Sequence, residues 1–132
     1  QRLADQRGMQ GRVTFAGHST AVTEWLSIAD AMVISSHREG FPYVLVEALQ
    51  AGCPVLSTSV SGVSEILPPA ALTDPGDVSG LNALLERALP ALADLRRSQE
   101  PQFVMARTQL TLTAMADSTL KLYDSLRNPL HV

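Results

Sequence analysis

Two glutamates, Glu39 and Glu47, stand eight positions apart on either side of a junction between a loop and a helix. Pro42 pre-sets φ for a first helical turn, where no backbone donor is needed, so a helix is predicted over about residues 42–51. Glu39 then lies in the loop, and Glu47 lies one to two turns into the helix. At that depth a carboxylate is too far in to cap the helix, but it can accept two hydrogen bonds from a vicinal diol such as a ribose.

The start of the same helix offers a second binding group. The backbone amides of Tyr43, Val44 and Leu45 are expected to be open, and a helix N-terminus carries roughly half a positive charge that suits a phosphate. Glu39 can then face the reacting end of the ligand. A diphosphate held between a diol and a sugar fits this spacing, although two glutamates eight apart also occur by chance and Glu47 alone is compatible with a solvated helix face.

The elements on each side of this helix place the loop at one edge of a sheet. Residues 31–35 form an apolar block rich in β-branched residues, which is typical of a strand buried on both faces. Gly52 is expected to close the helix in a left-handed conformation, and Pro54 stops it before a strand over residues 55–57. Since ligands of open α/β sheets bind at the carboxyl ends of the strands, the loop between is the predicted site.

The remaining elements follow the same alternation. A strand is predicted at 12–15, a helix at 21–28, a helical turn at 63–66, a strand at 70–72, and a helix capped by Asp77 and interrupted at Pro90. Residues from 91 to about 126 are expected to be helical with a break near 100–101. Short buried strands alternating with helices predict an α/β fold with a Rossmann-like, doubly wound parallel sheet.

Several motifs in order carry a resemblance to a known family. The stretch from Val13 to about Asp77 resembles the donor-binding, C-terminal half of a GT-B glycosyltransferase of family 4, whose members are retaining nucleotide-sugar enzymes with an E-x7-E motif. Glu39 and Glu47 match the two glutamates of that motif. Further similar pieces are the runs RVTFAGH at 12–18, ADA at 29–31, SGVSEI at 61–66 and DPGD at 74–77.

The resemblance implies a role for each matched residue. Glu39 would be the catalytic residue beside the transferred sugar, and Glu47 would bind the ribose. The other donor-binding residues that the resemblance implies are Gly40, Phe41 and Pro42 near the sugar hydroxyls and Val44 and Leu45 at the diphosphate. Two more are expected from their positions alone: Tyr43 at the helix N-terminus and His18 at the end of a predicted strand. The reaction implied is sugar transfer from a nucleotide-diphosphate sugar with retention, with no metal and no other cofactor. Helix amides and basic side chains would meet the charge on the departing diphosphate.

The sequence departs from the family pattern in three ways. Ser61 and Gly62 replace a glycine pair, Tyr43 stands where a small or amide residue is common, and the family's upstream Arg and Lys fall before residue 1. A chain of 132 residues can bury one core but not two domains. Residues 1–132 are therefore expected to be a single nucleotide-sugar-binding domain, incomplete at its N-terminus, whose acceptor domain is absent from the chain.

Composition excludes other classes of function. A net charge of −3 with few clustered basic residues gives no basis for binding nucleic acid. Cys53 is the only cysteine, so no internal disulfide is possible, and it is expected to be a buried small residue rather than a nucleophile. No apolar run approaches the roughly 20 residues of a membrane span, so the chain is expected to be cytoplasmic, with membrane contact only through the missing half.

Four features keep more than one interpretation each. His18 either lies over the donor or is a surface residue, and Arg38 pairs with Glu39, reaches a phosphate or is solvated. Glu65 lies near the nucleotide or caps a short helix. A stripe on the last helix either packs onto its own sheet or covers surface left unpaired here; its members are Leu112, Ala116, Leu120, Tyr123 and Leu126.

Two other functions compete with sugar transfer. A phosphoacceptor signalling domain needs a lysine at a strand end, whereas Lys121, the only lysine, falls in the last helix. The second competitor is a nucleotide-binding module without catalysis, or another GT-B enzyme such as a phosphorylase or epimerase. The sequence does not choose the nucleotide, the sugar, the acceptor, the pathway or the oligomeric state.

Overall fold

The computed structural model describes residues 1–127 of the chain. Within these residues there are seven α-helices and three strands. In chain order they are α1 (Arg2–Gln6), α2 (Val22–Ile28), β1 (Met32–Ile34), α3 (Tyr43–Gln50), β2 (Val55–Thr58), β3 (Leu72–Thr73), α4 (Val78–Ala88), α5 (Leu92–Ser98), α6 (Glu100–Thr108) and α7 (Leu112–Arg127). The predicted α/β class is confirmed.

The three strands form one parallel sheet in the order β1-β2-β3. Met32 aligns with Val55, and Ser57 aligns with Leu72. Successive residues of β2 point to opposite faces: Val55 packs in the core cluster that includes α3 and α6, whereas Leu56 packs with α4 and α5. Helices therefore cover both faces of the sheet, as the doubly wound prediction requires, and every residue of β2 is buried.

Helix α3 is the element that carries the motif, and its apolar face sets its position. Leu45, Ala48 and Leu49 are fully buried at helical spacing and pack against Phe103 and Ala106 of α6. The predicted bounds are confirmed, since Pro42 and Ala51 are the two capping residues of the helix. The motif helix is therefore held rigidly against its own sheet.

Two arginines from later helices donate hydrogen bonds to carbonyls at the C-terminal end of α3. Gly52 adopts φ +71°, the left-handed conformation predicted for it. Its carbonyl accepts a hydrogen bond from Arg96 of α5. Arg107 Nε of α6 donates to the carbonyl of Gln50 at 3.0 Å. Cations at a helix C-terminus satisfy carbonyls that have no partner inside the helix and favour the helix dipole.

The predicted strand at 12–15 is wrong. Val13 and Phe15 are 41% and 58% exposed, and the segment forms no strand. A strand requires a neighbouring backbone to complete its hydrogen bonds, whatever its β-propensity. In the described part of the chain, β1 pairs only with β2, and Val33 of β1 is exposed.

Three other boundaries differ from the prediction. Residues 63–66 form hydrogen-bonded turns rather than a helix, with the amides of Val63 and Ser64 both donating to the carbonyl of Val60. The third strand starts at Leu72 because a tight helical turn occupies Pro69–Ala71. The long helical region breaks at Gln99 and again over 109–111, whereas Pro101 lies in the first turn of α6, where no amide donor is needed.

Asp77 caps α4 as predicted. Its side chain accepts a hydrogen bond from the amide of Gly80 at 2.8 Å, and the helix begins at Val78. A β-carbon at Gly80 would come within 2.4 Å of both Asp77 Oδ2 and Thr73 Oγ1. The glycine is therefore what allows the capping carboxylate to approach so closely.

Helix α7 leaves its apolar stripe uncovered. None of its residues within the described range is buried, and Leu112, Leu120, Tyr123 and Leu126 are all exposed. The interpretation that this stripe packs onto the chain's own sheet is wrong. Within residues 1–127, no helix is both long enough and apolar enough to cross a membrane.

Candidate functional site

The loops that follow the three strands meet at the carboxyl edge of the sheet. A β-carbon at Gly62, after β2, would lie 2.9 Å from Phe41 Cδ2 and 3.0 Å from the carbonyl oxygen of Gly40, both after β1. A β-carbon at Gly76, after β3, would lie 3.5 Å from His37 Cε1. This edge is where open parallel sheets bind their ligands.

Glu39 is half-buried in this loop cluster and held by a hydrogen bond. Ser36 Oγ donates to Glu39 Oε1 at 2.7 Å. Thr58 Oγ1, at the end of β2, donates to the carbonyl of Ser36 at 2.6 Å. Because Thr58 is only 3% exposed, the loop that carries the glutamate is anchored to the buried central strand.

The start of α3 presents two open amides rather than three. No hydrogen-bond acceptor for the amides of Tyr43 and Val44 occurs among residues 1–127. The amide of Leu45 donates to the carbonyl of Pro42 at 3.0 Å, so the expectation that it is open is wrong. The first turn is tighter than α-helical, which satisfies that donor internally. No side chain caps this end of the helix, so its positive dipole end is available to an anion.

Glu47 is exposed and lines a groove of about 870 Å³ between α3 and the start of α7. The other residues that line the groove are Phe41, Tyr43, Val46, Gln50, Gln109, Leu110, Thr111, Leu112, Ala114, Met115 and Ser118. The rings of Phe41 and Tyr43 pack edge to face with centroids 6.3 Å apart. Gln50 Nε2 donates to the carbonyl of Leu110 at 3.0 Å and so links α3 to the segment before α7.

Other polar residues predicted for the site are less well connected. His18 is exposed and makes no hydrogen bond with the described residues, and the strand whose end was to place it does not form. Arg38 is exposed and forms no ion pair with Glu39 in the described chain. Glu65 is exposed and caps no helix there. The ligand contacts of all these residues stay predictions.

Cys53 is a packing residue, as expected. It is 1% exposed, and burial raises the pKa of its thiol, an effect that nearby Arg96 opposes and Asp30 reinforces. A thiol kept neutral is a poor nucleophile. Residues 1–127 hold no group of three His, Cys, Asp or Glu side chains that could bind a metal ion.

Sequence reasoning missed three residues that shape the site. Ser36 and Thr58 hold the Glu39 loop, and His37 lies beside Gly76 in the loop after β3. Gly62 was singled out in the sequence, but its packing against the Glu39 loop was not predicted. Only Ser36 had a local signal, since a serine three positions from a carboxylate can reach it within one loop. The partners of Thr58 and His37 are distant in sequence and have no such signal.

Together, the sheet with helices on both faces and the loop cluster at its carboxyl edge define a Rossmann-like ligand-binding domain. Residues 1–102 match the family of glycosyl transferases group 1. The chain belongs to that family.

Similar curated proteins include two bacterial lipopolysaccharide glycosyltransferases and a bacterial synthase. The chain is 32% identical over 127 residues to the lipopolysaccharide core biosynthesis glycosyltransferase LpsD of Rhizobium meliloti, with 94% of this chain and 37% of that protein covered. It is 31% identical over 93 residues to the lipopolysaccharide glucosyltransferase WaaG of Escherichia coli, with 67% and 25% covered. It is 33% identical over 96 residues to the N-acetyl-alpha-D-glucosaminyl L-malate synthase of Bacillus anthracis, with 70% and 24% covered. The chain thus spans between 24% and 37% of the length of these relatives.

Proposed function

We propose that this chain is the donor-binding half of a cytoplasmic, retaining GT-B glycosyltransferase of family 4. The enzyme transfers a sugar from a nucleotide-diphosphate sugar to an acceptor hydroxyl. Glu39 and Glu47 are the two glutamates of the E-x7-E motif. The observation that carries the proposal is that Glu39 and the two open amides of α3 belong to one loop-helix junction at the carboxyl edge of the sheet.

The donor is oriented along α3. Its diphosphate binds the amides of Tyr43 and Val44, where the helix dipole favours negative charge. Since an α-helix rises about 1.5 Å per residue, Glu47 lies roughly 6 Å further along the axis than Tyr43, within reach of a ribose attached to the diphosphate. The exposed Glu47 carboxylate accepts hydrogen bonds from the ribose diol.

Glu39 serves the other end of the donor. Its carboxylate lies beside the transferred sugar, next to Gly40, which has no atoms within 4 Å of a β-carbon position and so leaves open space for a ligand. As the bond to the sugar breaks, negative charge grows on the departing diphosphate. Fixed amides already aimed at that position stabilise the charge without reorganising.

Transfer needs a second domain. The acceptor hydroxyl must be held about 3–3.5 Å from the anomeric carbon, and this requires residues on the opposite side of a cleft. We infer that a separate N-terminal acceptor domain supplies them. The partial coverage of the named relatives supports this division.

The test compares the 132-residue chain alone with the same chain joined to an acceptor domain. Both are incubated with radiolabelled nucleotide sugars and a panel of saccharide and lipid acceptors, and the product's anomeric configuration is read by NMR. We expect transfer only from the two-domain protein, with retained configuration. Transfer by the chain alone would contradict the two-domain proposal, and an inverted product would contradict membership of a retaining family.

A further inference from the structure

We propose that Ser36 is a positioning residue for Glu39: it holds the carboxylate in the orientation that contacts the transferred sugar. The proposal rests on the proposed function, and the geometry that points to it is one continuous hydrogen-bonded path. Thr58 Oγ1 donates to the Ser36 carbonyl at 2.6 Å, and Ser36 Oγ donates to Glu39 Oε1 at 2.7 Å.

The path starts from the buried central strand of the sheet. Thr58 ends β2, a strand whose four residues are all buried, and its neighbour Ser57 pairs with Ile34 of β1. Ser36 follows β1 by two residues and is half-buried. The sheet thus fixes the position of Ser36. The hydrogen bond from Ser36 in turn restrains Glu39, three residues later in the loop.

The neighbours of Glu39 in the sequence give its side chain little packing, because Arg38 and Gly40 are exposed. The following residue, Gly40, is exposed and unpacked at its β-carbon position. A glutamate side chain whose carboxylate has no partner samples many rotamers, and ordering it on ligand binding costs side-chain entropy. A hydroxyl donor on Oε1 restrains the side chain beforehand and leaves Oε2 free for the ligand.

The alternative is that the bond only stabilises the turn. Then loss of the hydroxyl would lower stability and leave sugar recognition unchanged. The two readings differ in whether the effect of Ser36 passes through Glu39, and a double-mutant cycle measures this directly.

The experiment uses Ser36→Ala, Glu39→Ala and the double variant, with Ser36→Thr to restore a hydroxyl. Ser35→Ala is the matched control, because Ser35 is the adjacent serine, is exposed and makes no side-chain hydrogen bond in the described chain. Affinities for UDP-glucose, GDP-mannose and ADP-glucose, and for the three free diphosphates, are measured by amide-shift titration. The quantity compared is the sugar's gain in affinity, which is the affinity for a nucleotide sugar divided by the affinity for the corresponding free diphosphate.

We expect Ser36→Ala to reduce the sugar's gain in affinity on the order of threefold to tenfold and to leave diphosphate binding unchanged. Ser36→Thr and Ser35→Ala should behave like the parent. In the Glu39→Ala background, Ser36→Ala should have no further effect. An equal loss with and without Glu39, or a loss confined to diphosphate binding, would overturn the proposal.

A ligand-free measurement separates this proposal from the proposed function. NMR relaxation of the Glu39 side chain should show greater mobility in Ser36→Ala and no change in Ser35→Ala. Unchanged Glu39 mobility in Ser36→Ala overturns the positioning role whether or not nucleotides bind. If the parent chain binds none of the six nucleotides at millimolar concentration, the proposed function fails, while increased mobility of Glu39 still supports its positioning by Ser36.

Discussion

Gly62 packs directly against Phe41: a β-carbon added to the glycine would lie 2.9 Å from Phe41 Cδ2 and 3.2 Å from Phe41 Cα. Gly62 also adopts φ +79°, a conformation that L-residues rarely take. Sequence reasoning expected this loop to approach the ligand less closely because Ser61 replaces a glycine. Its observed partner is the backbone of the Glu39 loop, so Gly62 sets the position of Gly40 and Phe41.

The first prediction is that Gly62→Ala displaces the Gly40–Phe41 loop. The change costs roughly 1–2 kcal/mol from the positive φ, plus about 1–3 kcal/mol from the steric overlap. Gly17→Ala is the control, since Gly17 has φ +68° but no atoms within 4 Å of a β-carbon position. Urea unfolding should show the larger loss for Gly62→Ala, and amide shifts at 40–43 should change only there. Equal losses would mean that the contact with Phe41 is unimportant.

The second prediction separates the two motif glutamates. Glu47→Ala removes a charged acceptor for a ribose diol, worth about 1.5–3 kcal/mol, so nucleoside diphosphate affinity should fall about tenfold to a hundredfold. Glu39→Ala should leave diphosphate affinity nearly unchanged and reduce nucleotide-sugar binding or turnover instead. Glu86→Ala, on the exposed side of α4, controls for the loss of one negative charge. Equal effects of the two motif changes on diphosphate binding would contradict their assigned roles.

The third prediction concerns the hydrogen bond from Arg96 to the carbonyl of Gly52 at the C-terminal end of α3. Arg96→Met keeps an apolar stem but removes the donor to the Gly52 carbonyl, so the free energy of unfolding should fall by about 1–2 kcal/mol. Arg97→Met is the matched control, because Arg97 is exposed and pairs only with Asp94 in the described chain; its effect should stay below about 0.5 kcal/mol. Urea denaturation measures both. Similar losses for the two variants would show that the Gly52 contact contributes no specific stability.

The fourth prediction concerns pH. Burial raises the folded-state pKa of Cys53 above its ordinary value of 9.0, so the folded state binds the thiol proton more tightly than the unfolded state does. Its contribution to stability is therefore fully present below pH 9.0 and is lost as the pH rises through the folded-state pKa. Between about pH 7 and about pH 10, the free energy of unfolding should fall more steeply in the parent than in Cys53→Ala. Parallel pH profiles would contradict this prediction.

The local features of the motif could be predicted from sequence because each depends on a few neighbouring residues. Pro42 restricts the backbone at the start of α3, and Gly52 permits the left-handed conformation just after its end. The capping of α4 by Asp77 involves an amide only three residues away. The spacing of Leu45, Ala48 and Leu49 follows directly from the helical repeat. The same local logic predicted the parallel sheet from alternating strands and helices.

Only the tertiary structure decided which distant groups meet. Thr58 reaches Ser36 across 22 positions, and the buried Gln99 side chain pairs with both the amide and the carbonyl of Val55 across 44 positions. Such contacts form only when the long loops between the partners close, and no local sequence pattern encodes that closure. The same dependence on distant backbone explains why residues 12–15, with strand-like composition, form no strand, and why the apolar stripe of α7 is exposed. Amphipathic sequence determines that a face is apolar, but the packed chain determines whether anything covers it.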